Sequence, residues 1–122
     1  MDASAILAII GKESGAEVAS KHVAGALVSA VNLAEVFSKT RDMKVTLEAM
    51  KWMVEGLRLV SVPADDELAY MIGSLREPTR KLGLSLGDRA CLALGIMRRL
   101  PIITAENTWA KAGLDVEVVQ IR

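Results

Sequence analysis

The stretch Leu84–Trp109, LSLGDRACLALGIMRRLPIITAENTW, decides the fold. Ser85 stands three residues ahead of Asp88, the spacing of a capping box, so a helix is expected to start here. From Ala90 to Met97 the sequence is apolar almost all round, which predicts a buried helix. Arg98 and Arg99 close it beside the negative pole of its dipole, and Pro101 bars its continuation. Ile102-Ile103-Thr104 then reads as a short buried strand, with Glu106 expected in the first turn of a further helix carrying Trp109. A buried helix feeding an apolar strand, and that strand feeding a helix, points to a parallel sheet covered on both faces. In such sheets ligands gather beyond the carboxyl ends of the strands, where Glu106 falls.

Outward from this stretch the same alternation continues. Met1 to Ile10 reads as a stub of strand entering a helix, with Asp2 and Ser4 at the junction. Almost nothing precedes Asp2, so this strand is either shortened or begins ahead of the assigned start. Ala16–Val23 is expected as a short helix, Ala26–Ser29 as a strand and Val31–Ser38 as a helix with Leu33, Val36 and Phe37 inward. Asp42–Gly56 is expected as a longer helix, Arg58–Val62 as a strand and Asp65 to Pro78 as a helix with acids in its first turn. Val116–Val119 supplies a last strand. The expected architecture is one α/β domain over residues 1–122, a three-layer sandwich around a parallel five-stranded sheet.

Composition narrows the function classes. The chain has 122 residues, enough for a real core, and only 3% aromatics, so that core is aliphatic with methionine filling gaps. Fifteen basic and fifteen acidic residues cancel, which argues against nucleic-acid binding by bulk charge and leaves local patches. Cys91 is the single cysteine, so no internal disulfide forms. No basic n-region opens the chain and no apolar run reaches membrane-span length, so a soluble cytoplasmic protein is expected.

Three acids fall at strand-to-helix junctions or helix starts: Asp2, Asp88 and Glu106. Glu35 lies on the helix after the second strand. Each has a structural role open to it: Asp2 as a cap, Asp88 as the partner of Ser85, Glu106 as dipole compensation and Glu35 as a solvated face residue. Converging carboxylates without histidine or cysteine would instead suit a hard divalent cation, Mg²⁺ or Mn²⁺, which prefers oxygen ligands. Such a site suits phosphodiester hydrolysis by metal-activated water.

The blocks MDASAILAII, LVSAVNLAEVFSKT, LSLGDRACLALG and PIITAENTWAKAGLDVEVVQIR resemble, in order, the signature blocks of PIN-domain nucleases, and most of all the VapC toxins of type II toxin–antitoxin modules. The resemblance places the family's acids on Asp2, Glu35, Asp88 and Glu106, with Ser4, Asn32 and Thr104 tuning them by hydrogen bonds. Where the family usually has aspartate after Thr-Ala, this chain has Glu106, one methylene longer, and Asn107 is placed to share its role. The resemblance further implies strand order 3-2-1-4-5, a metal-dependent endoribonuclease, a homodimer and a cognate VapB-type antitoxin. Two alternatives accompany it: a PIN-like RNA-processing nuclease outside a toxin pair, and a PIN module whose site has decayed. A receiver-like signalling domain is excluded, because Asp2 has no acidic neighbour and Pro63 follows the third strand.

Arg89, Arg80 and Lys81, with Arg76, are candidates for RNA phosphate contacts; a solvated helix end explains them as well. On the helix after Asp42, the stripe Met43, Leu47, Met50, Val54, Leu57 leaves Trp52 and Met53 over. That surplus suits either a partner surface shared with the Val31–Phe37 helix or a thickly covered core helix.

Overall fold

The computed structural model describes residues 1–122. Two short parallel pairs make its middle layer. β1 (Leu27–Ser29) lies beside β2 (Val60–Val62) with Leu27 opposite Val60, and β3 (Ile102–Thr104) lies beside β4 (Val118–Gln120) with Ile102 opposite Val118. Successive strand residues point to opposite faces. Val28, Ile103 and Val119 accordingly join one apolar core, while Leu27, Ile102 and Val118 join the other. The first core is closed by α1 (Ala3–Gly11), α2 (Ala16–Ser20), α3 (Ala30–Ser38) and α4 (Leu47–Gly56). The second is closed by α5 (Asp66–Ser74) and α6 (Leu86–Arg98), with Trp109. The fold is mixed α/β, with helices packed against short parallel strands.

The helix that organises the sequence forms as expected. Ser85 Oγ accepts from Asp88 N at 3.1 Å and Asp88 Oδ2 accepts from Ser85 N at 2.7 Å, so both halves of the capping box are present. Ala90 to Gly95 are all buried, and Arg99 ends the helix in the left-handed region at φ 53.

The single five-stranded sheet is not found: the sheets are two, of two strands each. The expected first strand is reduced to the backbone of Met1 and Asp2, set between β1 and β3. The Met1 amino group donates to Leu27 O at 2.6 Å, and Asp2 N donates to Ile103 O at 2.9 Å. One bond to each side falls short of a ladder, because α1 takes over at Ala3. Next to the stub, between the two sheets, lies an apolar cavity of about 250 Å³ bordered by Met1, Leu27, Cys91, Leu94, Gly95 and Ile102.

Three other expectations are corrected. The helix drawn from Asp42 begins at Leu47: Thr46 caps it, accepting from Ala49 N at 3.1 Å, and Lys44 at φ 55 interrupts the chain before it. Glu106 is not in a helix. After β3 the chain bends, and only a 3-10 turn at Trp109–Ala112 follows. The last strand is also shifted, to Val118–Gln120. No helix is long and apolar enough to cross a membrane.

Candidate functional site

Parallel chain rows that run side by side bring their carboxyl ends together. Ser29 ends β1, Asp2 ends the stub and Thr104 ends β3, each where its segment turns to the next element. Five polar or charged residues are buried in the whole chain, and four of them, Asp2, Ser29, Asn32 and Thr104, meet at this edge. Buried polar groups persist where they satisfy one another.

Asp2 is the hub. Its Oδ2 accepts from the Ser4 hydroxyl, from Thr104 Oγ1 at 2.9 Å and from Ser4 N at 3.3 Å, the last being the cap of α1. Its Oδ1 receives only a long 3.4 Å contact from Asn32 Nδ2. The flanking hydroxyls also fix the chain after β3: Ser4 Oγ accepts from Ala105 N and Thr104 Oγ1 accepts from Glu106 N, each at 3.0 Å. On the other side Ser29 Oγ caps α3, accepting from Asn32 N at 3.1 Å while donating to Asn32 Oδ1 at 2.6 Å. That holds the Asn32 amide with its Nδ2 toward Asp2 and toward Gly87 O, 3.0 Å away. Ser29 and Gly87 escaped the sequence reading. The Ser29-x-x-Asn32 spacing is the signal that would have found the first, as a helix cap.

The four acids share one electrostatic environment. Burial pushes the Asp2 carboxyl above its ordinary value; hydrogen bonds from Ser4 and Thr104 oppose this, and Asp88 adds repulsion. Glu35, half-buried on α3, is raised first by burial, then by Asp2 and Asp88, and by Glu106; Lys39 works the other way. Asp88 is half-buried at the start of α6, and Glu106 is exposed on the bend after β3. The structural roles offered to Asp2 and Asp88 are real, since both cap helices. Each cap occupies Oδ2, and Asp88 Oδ1 has no partner within the chain.

No three acids stand close enough to form a ready-made cage. Mg²⁺ does not need one, because it keeps several waters and takes one or two carboxylates directly. Carboxylates held above their ordinary pKa by burial, and further by one another, are relieved by a cation, and every side chain at this edge offers oxygen or amide nitrogen. The residues fit a hard, water-retaining ion.

The remaining candidates divide. Arg89 is turned inward: its Nη1 donates to Ile72 O at 3.1 Å and its Nε to Ser85 O at 3.3 Å, fastening α5 to α6. Arg80 and Lys81 are exposed in a 3-10 turn just ahead of α6, with Arg80 paired to Glu77 at 3.6 Å. Asn107 is exposed and makes no side-chain hydrogen bond. His22 is exposed at the cavity rim, far in sequence from every acid of the site except Glu35 and Asp2 and bonded to none of them. Cys91 is buried and its thiol pushed up to about 12, so it is an inert filler. On α4, Met50 and Val54 face the core, whereas Leu47 and Trp52 are 61% and 75% exposed.

No family model matches the chain, and no curated protein matches it. Solved structures do. A chain of a toxin–antitoxin complex from Klebsiella pneumoniae superposes with a TM-score of 0.77 at 20% identity, over 99% of this chain and 95% of that one. A chain from the structure of VapBC2 of Rickettsia felis, bound to a DNA fragment from their promoter, superposes with a TM-score of 0.70 at 16% identity, over 97% and 93%. The likeness runs nearly end to end in both. The fold of this chain is that of the matched chains in these two toxin–antitoxin structures.

Proposed function

We propose that this chain is a VapC-like endoribonuclease, the toxin of a VapBC-type module, cutting RNA phosphodiester bonds with Mg²⁺ or Mn²⁺ held at Asp2, Glu35, Asp88 and Glu106. The observation that supports it most is the mutual repulsion among these acids at the carboxyl edge of the parallel rows, where half-buried Ser4 and buried Ser29, Asn32 and Thr104 form a hydrogen-bonded lattice around Asp2. Asp2 and Asp88 would hold the ion through the oxygens that their caps leave over, with Glu35 and Glu106 acting directly or through water. When bound, such an ion activates water and offsets charge on the phosphodiester.

The chain's own groups do the rest. Ser4, Thr104 and Asn32 keep the Asp2 carboxylate from rotating. Without a cation the acids repel an RNA backbone, so substrate and ion bind together. Arg80 and Lys81, exposed beside the start of α6, are proposed to meet phosphates; Arg89 is committed to carbonyls. A cognate VapB-type antitoxin is proposed to cover the α3–α4 face through Leu47 and Trp52, and the chain to act as a cytoplasmic homodimer.

Because no ready-made cage exists and Glu106 is exposed, a second reading is a PIN-like module that binds a cation and RNA without cutting. One experiment separates them: incubation of total cellular RNA with the purified chain and Mn²⁺ or Mg²⁺, with chelator, and with Asp88→Asn. Asparagine can still accept from Ser85 N, so the cap survives. Discrete fragments that vanish with chelator and with the variant support the nuclease. Mn²⁺ binding without cleavage supports the module, and cleavage by Asp88→Asn rejects the mechanism.

A further inference from the structure

We infer that Gly87 is a positioning residue of this site: its missing side chain lets the Glu35 carboxylate lie against the first turn of α6, next to Asp88. The inference rests on the function proposed above. Glycine is a poor helix former, and α6 is otherwise well provided at this end, with both halves of its capping box made. Nor does the backbone demand glycine here, because Gly87 is not among the glycines with positive φ. Space demands it. A Cβ at position 87 would press on Glu35 Oε2 inside van der Waals contact, with Glu35 Cδ at 3.5 Å and Ser85 Oγ at 3.7 Å, all three of them side-chain atoms.

The contrast with Gly95 on the same helix sharpens the point. A Cβ at Gly95 would meet Ile102 side-chain atoms at 2.6 and 2.9 Å and Leu100 O at 3.3 Å, which is a core and backbone clash. At Gly87 the nearest obstacle is the far end of a flexible acidic side chain. Asn32 Nδ2 also donates to Gly87 O at 3.0 Å and ties α3 to this turn, so the helices do not readily part. A methyl group at 87 therefore leaves the fold and moves the carboxylate.

The test is Mn²⁺ binding by calorimetry, beside thermal unfolding of the metal-free protein, for wild type, Gly87→Ala, Glu35→Asp and the double variant. Gly87→Ala is expected to keep or raise Tm, as alanine is the better helix former, while Mn²⁺ affinity falls about 10- to 100-fold, the usual range for a lost supporting contact. Glu35→Asp is expected to weaken binding alone and to add little in the Gly87→Ala background, since both changes withdraw the same carboxylate. Unchanged affinity in Gly87→Ala, a lowered Tm, or additive losses would each overturn the inference. A wild-type chain that binds no Mn²⁺ would overturn the metal reading itself, an outcome distinct from these.

Discussion

Thr104 Oγ1 donates to Asp2 Oδ2 at 2.9 Å, closing a contact between residues 102 positions apart in the chain. The same hydroxyl accepts from Glu106 N at 3.0 Å. One buried side chain thus sets the orientation of the first acid and the path of the backbone that carries the last. Thr104→Val keeps the shape and removes both bonds. Leaving buried polar groups without partners costs about 1–3 kcal/mol, and a fall in Tm is expected with loss of cleavage. A Tm within error of wild type would show that neither bond matters.

The raised carboxyls make the metal-free chain sensitive to pH in a definite direction. Asp2 and Glu35 sit above their ordinary values of 3.8 and 4.5, so just above that range the folded state holds more protons than the unfolded one. Stability then falls as pH rises through that window, and the penalty is complete above the folded-state values. Denaturant melts across acidic to neutral pH, with chelator, should show this slope, and Asp2→Asn should flatten it. An unchanged slope in the variant would remove Asp2 as its source.

Much of this was legible in the residues of Leu84–Trp109 and in Asp2, Asn32 and Glu35. Local rules sufficed there: a capping box, an all-apolar helix, an apolar strand after proline. What escaped depends on contacts between distant segments. Nothing around Ser29 announces that its hydroxyl aims Asn32 at an acid from another row. Glu106 looked like a helix start because acids suit first turns, but the hydroxyl of Thr104 binds its amide and the chain bends instead. Arg89 looked free because its partner carbonyl, Ile72 O, lies on another helix.

Gly95→Ala is expected to destabilise although it improves helix propensity. The added carbon meets Ile102 at 2.6 Å where α6 crosses β3, and overpacking of this kind typically costs about 1–3 kcal/mol against about 1 kcal/mol gained from propensity. Thermal unfolding decides it. A Tm at or above wild type would mean that α6 and β3 separate freely.

The stub between the sheets gives a prediction of opposite sign. In the parallel register Leu27 and Ile103 turn their backbone groups toward Met1 and Asp2, beside an apolar cavity of about 250 Å³. Two or three β-branched residues fused ahead of Met1 are expected to enter as strand, raise Tm and slow hydrogen exchange at the Ile103 amide. Exchange at the unfused rate would show that the added residues stay in solvent.

The acids at the carboxyl edge are proposed to hold a divalent cation. Crystals grown with Mn²⁺ and measured for its anomalous scattering test this most directly. A peak bounded by Asp2, Glu35 and Asp88 is expected, absent from an Asp2→Asn, Asp88→Asn double variant. Mn²⁺ bound elsewhere, or no bound Mn²⁺ at millimolar concentration, would contradict it.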